Sequence, residues 1–548
     1  MATSAEAPLI SHRDDELDDD SHSELEDNEH RALIRMQVDP PLTSMPNCLH
    51  VEDDTGVISA TLVSIGTSLS DRTLNSLDKS IITSCTSLFA LIASPISSVL
   101  ADHFGRKPVI LLSDLLFVFG ALVQAFSYKV WGMVLGRSIV GAAVGAASFV
   151  TPLYIAELAP PAHRGRLVTM NSMSVTLGQV VAYVIGWMFA EHGDPATGWR
   201  WMVGLGALPA ALQCIFLLFM PETPRWLVKA GKSKEAQRII GKTAGSDVNN
   251  HLIVSVVKGI ERELREEQGN AALATDGVKS SSWLRRWDEL LQVPKNRRAL
   301  IIACFLQGLQ QFCGFNSLMY FSATIFTMLG FSIPTLTSLT VAATNWAFTV
   351  LALFLVDRIG RRRILLYSVP FMVAGLFLSA FGFTKVTLPP EGTNSVPIPA
   401  TTDAGAPTSS QNAAVVILIS IMLYVSSYAI GLGNVPWMQS ELFPLNVRSL
   451  GSGLATATNW MANFIIGLTF LPLDGFAYPV GDIRVIRTYL HCRTYDSLIA
   501  IVAVKRVIGL LKNHKHLAEA DTDTDAGSAD EEFKPTSAYI GMSGVMAC

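Results

Sequence analysis

Long apolar runs without charged side chains constrain the fold of this sequence more than any other feature. Charged residues make up only 16% of the 548 residues, against about 25% in soluble domains. A helix that crosses a bilayer needs about 20 predominantly apolar residues. Ten stretches meet this need. They are 80–101, 108–128, 130–155, 167–190, 201–221, 299–356, 364–384, 413–433 and 449–473, of which 299–356 counts as two because residues 330–334 divide it. They predict an all-α, multi-pass membrane protein.

The charges lie mostly in the links and at the ends of the chain, and they predict its orientation. The links that follow residues 101, 160, 221 and 356 are basic, as is the link that carries Arg448. Because positively charged loops stay on the cytoplasmic side, we expect these links to be cytoplasmic. Residues 1–52 are polar and begin with a strongly acidic stretch, which predicts a disordered N-terminal tail.

Two charged motifs occur twice in the same order, which indicates a duplicated unit. Asp-x-x-Gly-Arg-(Lys/Arg) starts at Asp102 and again at Asp357. Glu-Leu-x-Pro-x-x-x-Arg starts at Glu157 and again at Glu441. Matching motifs in corresponding places are typical of membrane proteins built from two repeats. The predicted domains are the transmembrane halves 53–221 and 299–473, a cytoplasmic linker 222–298 with short helices at 234–242 and 253–267, and a divergent, mostly polar tail at 474–548.

The sequence carries no signature of catalysis or nucleotide binding. It has no Gly-x-x-x-x-Gly-Lys-(Ser/Thr) loop, no Gly-x-Ser-x-Gly elbow and no Cys/His cluster at metal-ligand spacing. Four of the seven cysteines lie inside predicted spans, so they do not form a disulfide framework. We therefore expect no enzyme, no cofactor, no metal ion and no nucleic-acid partner.

Further motifs resemble those of one family of membrane transporters. Pro-Glu-Thr-Pro-Arg starts at Pro221, Gln-Gln-Phe-Cys-Gly-Phe-Asn starts at Gln310, and Pro-Trp starts at Pro436. With the duplicated motifs they are similar to the sugar porters of the major facilitator superfamily, over residues 54–471. Asn434 stands where hexose carriers usually have Pro, and in this detail the sequence most resembles fungal myo-inositol/proton symporters.

The resemblance implies a fold, a function and a location. The implied fold is the major facilitator fold, in which two six-helix halves rock around a central site. The implied function is proton-coupled transport of a polyol or sugar, above all myo-inositol, by a monomer in the lipid bilayer. A hexose transporter and a non-transporting nutrient sensor are the alternatives. The expected location is the plasma membrane, with a vacuolar or endosomal membrane as the alternative.

The resemblance places proton coupling at Asp54 and Arg137. An ionised carboxylate inside a bilayer is costly unless it is paired or titrates, and Arg137 lies in the middle of its span. A nearby guanidinium favours the ionised carboxylate and desolvation disfavours it, so small rearrangements load or release a proton. The alternative is a fixed ion pair between two spans. Asp114 is a weaker intramembrane candidate, which we expect to be solvated near the cytoplasmic end of its span.

Uncharged amides within apolar runs are the candidate substrate ligands. A polyol hydroxyl donates and accepts hydrogen bonds, and a carboxamide offers both without a net charge to desolvate. The amides that match sugar-contacting or cavity-lining positions of the family are Gln179, Gln310, Gln311, Asn316, Asn345, Asn459 and Asn463. Trp437 is a further candidate, because it follows Pro436 where its span breaks, and a helix broken at mid-membrane is tolerated only beside a cavity or inside protein. Hydrogen bonding between helices is the alternative role of the amides, equally open for Asn463. Ordinary core packing is the alternative for Trp437.

The charged motifs are expected to form a cytoplasmic gate. In the family they join helix ends ionically when the carrier faces outward. The residues concerned are Asp102, Gly105, Arg106, Lys107, Glu157, Arg164, Glu222, Arg225, Asp357, Gly360, Arg361, Arg362, Glu441 and Arg448. The alternative is that their positive charges only set the topology.

Two parts of the sequence depart from the family pattern. An apolar span precedes Asp54 in the family, whereas residues 42–53 here include Pro46, His50 and Glu52. After Leu471 no apolar run is long enough for a twelfth span. We therefore expect truncated first and last spans and a chain that, as written, is a copy that does not transport. A transcript that restores an apolar segment at each place would account for both departures.

Overall fold

The computed structural model describes residues 49–159, 164–194, 197–244, 250–273, 282–329, 331–383, 408–434, 442–443 and 447–469. Within these ranges the chain forms seventeen helices and no strand. All of the described residues belong to one compact unit, which extends to Ala500. The predicted all-α fold is confirmed.

Seven helices form the first transmembrane half. They are α1 (Leu49–Ser64), α2 (Ser76–Phe104), α3 (Arg106–Ala125), α4 (Val130–Leu158), α5 (Arg164–His192), α6 (Gly198–Leu205) and α7 (Ala207–Phe219). Gly105 separates α2 from α3 with a φ of 102°, a conformation that glycine adopts at little cost. Gly206 joins α6 and α7, which are two parts of a single predicted span.

Four helices form the linker between the halves. They are α8 (Pro224–Lys229), α9 (Ser233–Ala244), α10 (Asn250–Leu273) and α11 (Ser282–Gln292). The two helices predicted for the linker correspond to α9 and α10, whereas α8 and α11 have no predicted counterpart. Leu227 of α8, Ile240 of α9 and Val257 of α10 belong to one small apolar core. These three linker helices therefore pack on one another.

Six helices form the second transmembrane half. They are α12 (Pro294–Phe312), α13 (Phe315–Met328), α14 (Pro334–Ile359), α15 (Arg361–Phe383), α16 (Thr408–Ile430) and α17 (Arg448–Thr469). Gly314 divides one span into α12 and α13, because its left-handed backbone, with a φ of 89°, cannot continue a helix. Gly360, with a φ of 86°, lies between α14 and α15 as Gly105 lies between α2 and α3.

The predicted spans correspond to these helices. Eight helical stretches of the described part are long and apolar enough to cross a membrane. The ninth predicted span matches the shorter apolar stretch Ala414–Ile430 of α16, and the tenth matches the 22 residues of α17. The fold is therefore that of a multi-pass membrane protein.

The helix α1 corrects one predicted boundary. The sequence predicts that residues 49–52 belong to the disordered tail, but they form the first turn of this helix. Its 16 residues extend over about 24 Å, less than a hydrocarbon core of about 30 Å. Ile58 and Leu62 are nevertheless buried, because α1 packs chiefly on α5 and also on α6 and α13. The predicted twelfth span and polar tail lie outside the described residues.

Close helix contacts hold the first half together and join it to the second. Gly141 and Gly145 of α4 lie so near the backbone of Thr86 and Ala90 in α2 that a Cβ on either glycine would overlap it. Between the halves, α2 packs on α17, α5 packs on α14, and α1 packs on α13. Among the described residues, the halves therefore meet chiefly along these three helix pairs.

A matched pair of glycine substitutions tests the close approach of α4 to α2. Gly145→Ala is expected to lower the free energy of unfolding by about 1–3 kcal/mol, because its methyl group would overlap the Ala90 backbone. Gly204→Ala is the control, since its Cβ would lie at an ordinary 3.6 Å from Ala125 Cβ. Thermal unfolding of the purified protein in detergent measures both. Equal melting temperatures for the two variants would contradict the contact.

Candidate functional site

The first copy of the charged motif forms a compact network at the predicted cytoplasmic end of the first half. Arg106 is 5% exposed, and its Nη2 donates to Glu157 Oε1 at 2.8 Å. The same Nη2 lies 3.5 Å from Asp102 Oδ1, and Nη1 donates to the carbonyl of Ala101 at 3.2 Å. Lys229 Nζ approaches Asp102 Oδ2 at 3.8 Å. The network therefore joins α2, α3 and α4 to the linker helix α8.

Glu222 caps the start of α3. Its carboxylate accepts hydrogen bonds from the backbone N–H groups of Arg106 at 3.1 Å, Lys107 at 3.1 Å and Thr223 at 2.9 Å. A Cβ on Gly105 would lie 2.5 Å from Glu222 Oε2, so the motif glycine also makes room for this carboxylate. Burial raises the pKa of Glu222 above its ordinary value, although the three N–H groups and the charge of Arg106 act in the opposite direction.

Lys107 contacts backbone carbonyls at the end of α7. Its Nζ donates to the carbonyls of Leu218 at 3.0 Å and Met220 at 2.7 Å. A positive charge at the C-terminal end of a helix is favoured by the helix dipole. The lysine of the motif therefore stabilises the junction of α3 and α7.

The remaining residues predicted for the cytoplasmic gate are described in part. The side chains of Arg164, Asp357 and Arg361, and the whole of Glu441, lie outside the described residues. Arg448 Nε donates to the carbonyl of Phe443 at 3.3 Å, Arg362 is exposed and Arg225 is half-buried. Because the ion pairs of Arg106 lie within the first half, a closing role between the two halves stays a prediction.

Arg137 is buried in α4 beside a cavity. It is 2% exposed, and its Nε donates to the carbonyl of Ile82 in α2 at 3.2 Å. The cavity is lined by Ile58 of α1 and Gln124 of α3, among others. Asp54 precedes Ile58 by four residues, about one helical turn. The side chain of Asp54 lies outside the described residues, so its ion pair with Arg137 stays a prediction.

Asp114 is buried, contrary to the expectation from sequence. Its exposure is 0%, although it lies only eight residues, or about 12 Å, into α3. The expectation that water reaches Asp114 was wrong, because the distance of Asp114 from the end of its own helix does not show how neighbouring helices cover it. α4 and α7 both pack on α3, and neighbouring helices keep water from this carboxyl group.

Five carboxamides of the second half form a hydrogen-bonded network. Asn316 Nδ2 donates to Gln311 Oε1 at 2.8 Å, and Gln311 Nε2 donates to Asn459 Oδ1 at 3.1 Å. Asn459 Nδ2 donates to Gln310 Oε1 at 2.9 Å and to Gln307 Oε1 at 2.7 Å. The structure thus brings together four predicted residues from α12, α13 and α17. Gln307 was missed, although its spacing from Gln310 and Gln311 puts it on the same helical face.

Gln310 also supports the end of α16. Its Nε2 donates to the carbonyls of Leu432 at 3.1 Å and Gly433 at 2.8 Å, in the turn that follows the helix. Asn434 Nδ2 donates to the carbonyl of Ala429 at 2.6 Å. Carbonyls freed at a helix end need such partners where water is excluded. Trp437, which follows this break, lies outside the described residues.

The remaining predicted amides lie outside this network. Asn345 Nδ2 of α14 donates to Gln179 Oε1 of α5 at 3.0 Å, so these two join the halves directly. Asn463 Nδ2 of α17 donates to the hydroxyl of Tyr320 in α13 at 3.2 Å. All three amides are buried. These hydrogen bonds are compatible with two roles for the amides, namely joining helices and lining a substrate site.

Hydroxyl contacts between the halves were not predicted. The hydroxyls of Ser59 in α1 and Ser322 in α13 share a hydrogen bond at 3.2 Å. The Tyr183 hydroxyl of α5 donates to the carbonyl of Met319 in α13 at 2.6 Å. No sequence signal distinguishes such residues, because most hydroxyls in helices bond to their own backbone.

The fold and this site define a membrane transporter built from two packed helical halves. The chain belongs to the sugar transporter family, since residues 53–483 match the family described as "Sugar (and other) transporter".

Its relatives and structural neighbours agree with that assignment. The chain is 42% identical to "Myo-inositol transporter 1" of Cryptococcus neoformans over 78% of this chain and 72% of the relative. It is 41% identical to "Myo-inositol transporter 1" of Saccharomyces cerevisiae over 78% and 70%. The proton:xylose symporter XylE bound to 6-bromo-6-deoxy-D-glucose superposes with a TM-score of 0.67 and 25% identity, over 85% of this chain and 94% of that chain. The partially occluded inward-open form of XylE from E. coli, at 24% identity, has a TM-score of 0.65 over 85% and 97%.

Removal of the Glu222 carboxylate tests the cap on α3. Glu222→Ala leaves the N–H groups of Arg106 and Lys107 without their acceptor, which is expected to cost about 1–3 kcal/mol of unfolding free energy. Arg72→Gln is the control, because it breaks only the Arg72–Asp78 ion pair, in which Arg72 is 47% exposed, and such pairs contribute about 0–1 kcal/mol. Thermal unfolding in detergent compares them. The cap is unimportant if Glu222→Ala is no less stable than Arg72→Gln.

Proposed function

We propose that this chain is a proton-coupled transporter of myo-inositol that works by alternating access. The observation that carries the proposal is the buried network of uncharged carboxamides around Gln311 and Asn459. Support also comes from the relatives, which are named as myo-inositol transporters, and from the structural neighbour described as a proton:xylose symporter.

The amide network suits a polyol because it offers donors and acceptors without a net charge. Each hydroxyl of a cyclic polyol can donate one hydrogen bond and accept others, and each carboxamide does the same. Gln311 and Asn316 lie on either side of the helix break at Gly314, where backbone and side chains can rearrange. In the proposed mechanism a ligand exchanges places with the amide–amide bonds. Trp437 covers the apolar face of the ring, and Gln179, Asn345 and Asn463 complete the site.

Proton coupling is assigned to Asp54 and Arg137. Burial of Arg137 beside a cavity keeps its charge away from water, so a carboxylate on the adjacent α1 would be strongly favoured as its partner. Protonation of Asp54 would break that ion pair and release α1 from α4. Such a switch links the proton to the relative movement of the helices.

The remaining assignments follow from the same proposal. The halves 53–221 and 299–473 rock about the site, and the cytoplasmic motifs close the inner side when the carrier faces outward. The protein acts as a monomer in the plasma membrane and carries out no chemical reaction on its substrate. The duplicated motifs and the helix contacts between the halves support the rocking of the halves and the closing of the inner side.

Uptake measurements test the proposed function. When a version of this chain with an intact first span is expressed in cells that lack their own transporters, the cells are expected to accumulate radiolabelled myo-inositol in preference to glucose, and more at external pH 5 than at pH 7. The chain as written is expected not to accumulate it, because the 16 residues of α1 are too few to cross a hydrocarbon core of about 30 Å. Asp54→Asn keeps size and hydrogen bonding but cannot titrate, so uphill accumulation should be lost while exchange of bound substrate survives.

Other outcomes identify the alternatives. Preferential glucose uptake would indicate a hexose transporter, and binding without uptake would indicate a sensor. Absence of both binding and uptake from a protein that reaches the membrane would indicate a non-functional copy. pH-dependent accumulation that persists in Asp54→Asn would exclude Asp54 as the proton site.

A substitution in the amide network tests the place of the substrate. Gln311→Ala leaves a substrate hydroxyl, together with Asn316 and Asn459, short of a partner. One unmet buried polar group costs about 1–3 kcal/mol, so myo-inositol affinity should fall roughly tenfold or more. The control is Ser420→Ala, which removes a buried hydroxyl bonded only within α16, to the carbonyl of Ile417. Wild-type affinity in Gln311→Ala would place the site elsewhere.

A further inference from the structure

Gln124 of α3 is buried beside the arginine to which proton coupling is assigned. It is 2% exposed and lines the same cavity as Arg137 of α4, with Val57 and Ile58 of α1 on another wall. Its amide oxygen Oε1 has no hydrogen-bond partner among the described residues. A buried carbonyl oxygen without a donor is unusual, because it costs the full desolvation of that group. The oxygen is therefore free to accept a hydrogen bond from a donor that lines the same cavity.

The packing of α3 on α4 fixes the place of this side chain. A Cβ on Gly136 would lie 2.5 Å from Gln124 Cγ, so the carboxamide stem occupies the space that a larger residue would take. Gly136 directly precedes Arg137. The backbone that carries the guanidinium and the stem that carries the carboxamide are thus in contact.

Few other charged or titratable groups lie near the cavity that Gln124 and Arg137 line. Arg137 is the one charged residue among the described residues that line the cavity, the others being Val57, Ile58, Phe117, Ala121, Gln124, Val140, Val203 and Gly206. Cys85 of α2 donates to the carbonyl of Val134, and Arg200 of α6 donates to the carbonyls of Ala125 and Ser127. Asp114 lies on α3 itself, ten residues or about 15 Å away.

We propose that Gln124 is a positioning residue for proton coupling, whose amide oxygen accepts a hydrogen bond from Arg137 when Asp54 becomes protonated. The proposal rests on the proposed function. A guanidinium that loses its carboxylate partner in a dry site needs another acceptor, and Gln124 supplies one that carries no charge. Protonation of Asp54 then occurs without leaving the arginine unpaired. Gln124 therefore sets the pH at which the coupling site loads.

The pH dependence of substrate binding should shift in opposite directions in two variants of Gln124. Gln124→Met keeps a similar shape but removes the acceptor, so protonation of Asp54 is disfavoured. The half-maximal pH of proton-promoted myo-inositol binding should then fall by about one unit, the value of one hydrogen bond to a charged group. Gln124→Glu adds a carboxylate that pairs with Arg137 and frees Asp54 to take up a proton. The half-maximal pH should then rise.

Gln213 of α7 provides a matched control. It is also a glutamine of the first half, it is 0% exposed, and neither of its amide atoms has a partner among the described residues. It does not line the cavity beside Arg137. Gln213→Met should therefore leave the pH profile unchanged, while it reproduces any general effect of replacing a buried glutamine by methionine.

Equilibrium binding of radiolabelled myo-inositol to the purified protein, from pH 4.5 to 8.5, measures these profiles without a need for transport. Wild-type profiles in both Gln124→Met and Gln124→Glu would overturn the inference, as would equal shifts in Gln124→Met and Gln213→Met. If Gln124→Met does not fold, the direction of the shift in Gln124→Glu decides. The inference alone fails if Asp54→Asn removes the pH dependence and the Gln124 variants do not alter it. The proposed function fails with it if Asp54→Asn leaves the pH dependence intact.

Discussion

The bilayer core offers no water to a buried polar group, and the placement of polar side chains in this protein follows from that. Such a group costs several kcal/mol when it finds no partner. Short hydroxyl side chains bond to their own helix, as Thr61 does to the carbonyl of Val57 at 2.7 Å. Carboxamides such as Gln311 and Asn459 are long enough to reach another helix, so they bond to each other. The need for a hydrogen-bond partner therefore keeps the hydroxyls bonded within their own helices and brings the carboxamides together between the helices.

The two halves meet this requirement in different ways. The first half contains an intramembrane charge at Arg137 and a charged network around Arg106. In the second half the network around Asn459 is made of uncharged amides. A charge responds to membrane voltage and to the ionisation of its partners, whereas an amide responds only to its hydrogen-bond partners. Among the described residues, the membrane-embedded charge of Arg137 and the amide network around Asn459 therefore lie in different halves.

Much of the fold was predictable, because span length and motif spacing are local properties of the sequence. The linker helices α9 and α10 were predicted for the same reason. Hydrogen-bond partners were not predictable, because they depend on which helices become neighbours. Asp114 shows this most clearly: its distance from the helix end suggested solvation, yet packing by α4 and α7 buries it. Lys107 likewise bonds to carbonyls of α7, which spacing could not reveal.

The break at Gly314 gives one span two separate anchors. Before the break in the sequence, the amides of α12 bond to α17 of the same half. After the break, α13 bonds to the opposite half at two places. Ser322 shares a hydrogen bond with Ser59 of α1, and the carbonyl of Met319 accepts one from Tyr183 of α5. Tyr320 also joins α13 to Asn463 of α17 in its own half, so α13 contacts both halves and a rotation of one half against the other acts on this span. Gln311 and Asn316 lie on either side of Gly314. A molecule bound between them would therefore restrict changes in the angle between α12 and α13.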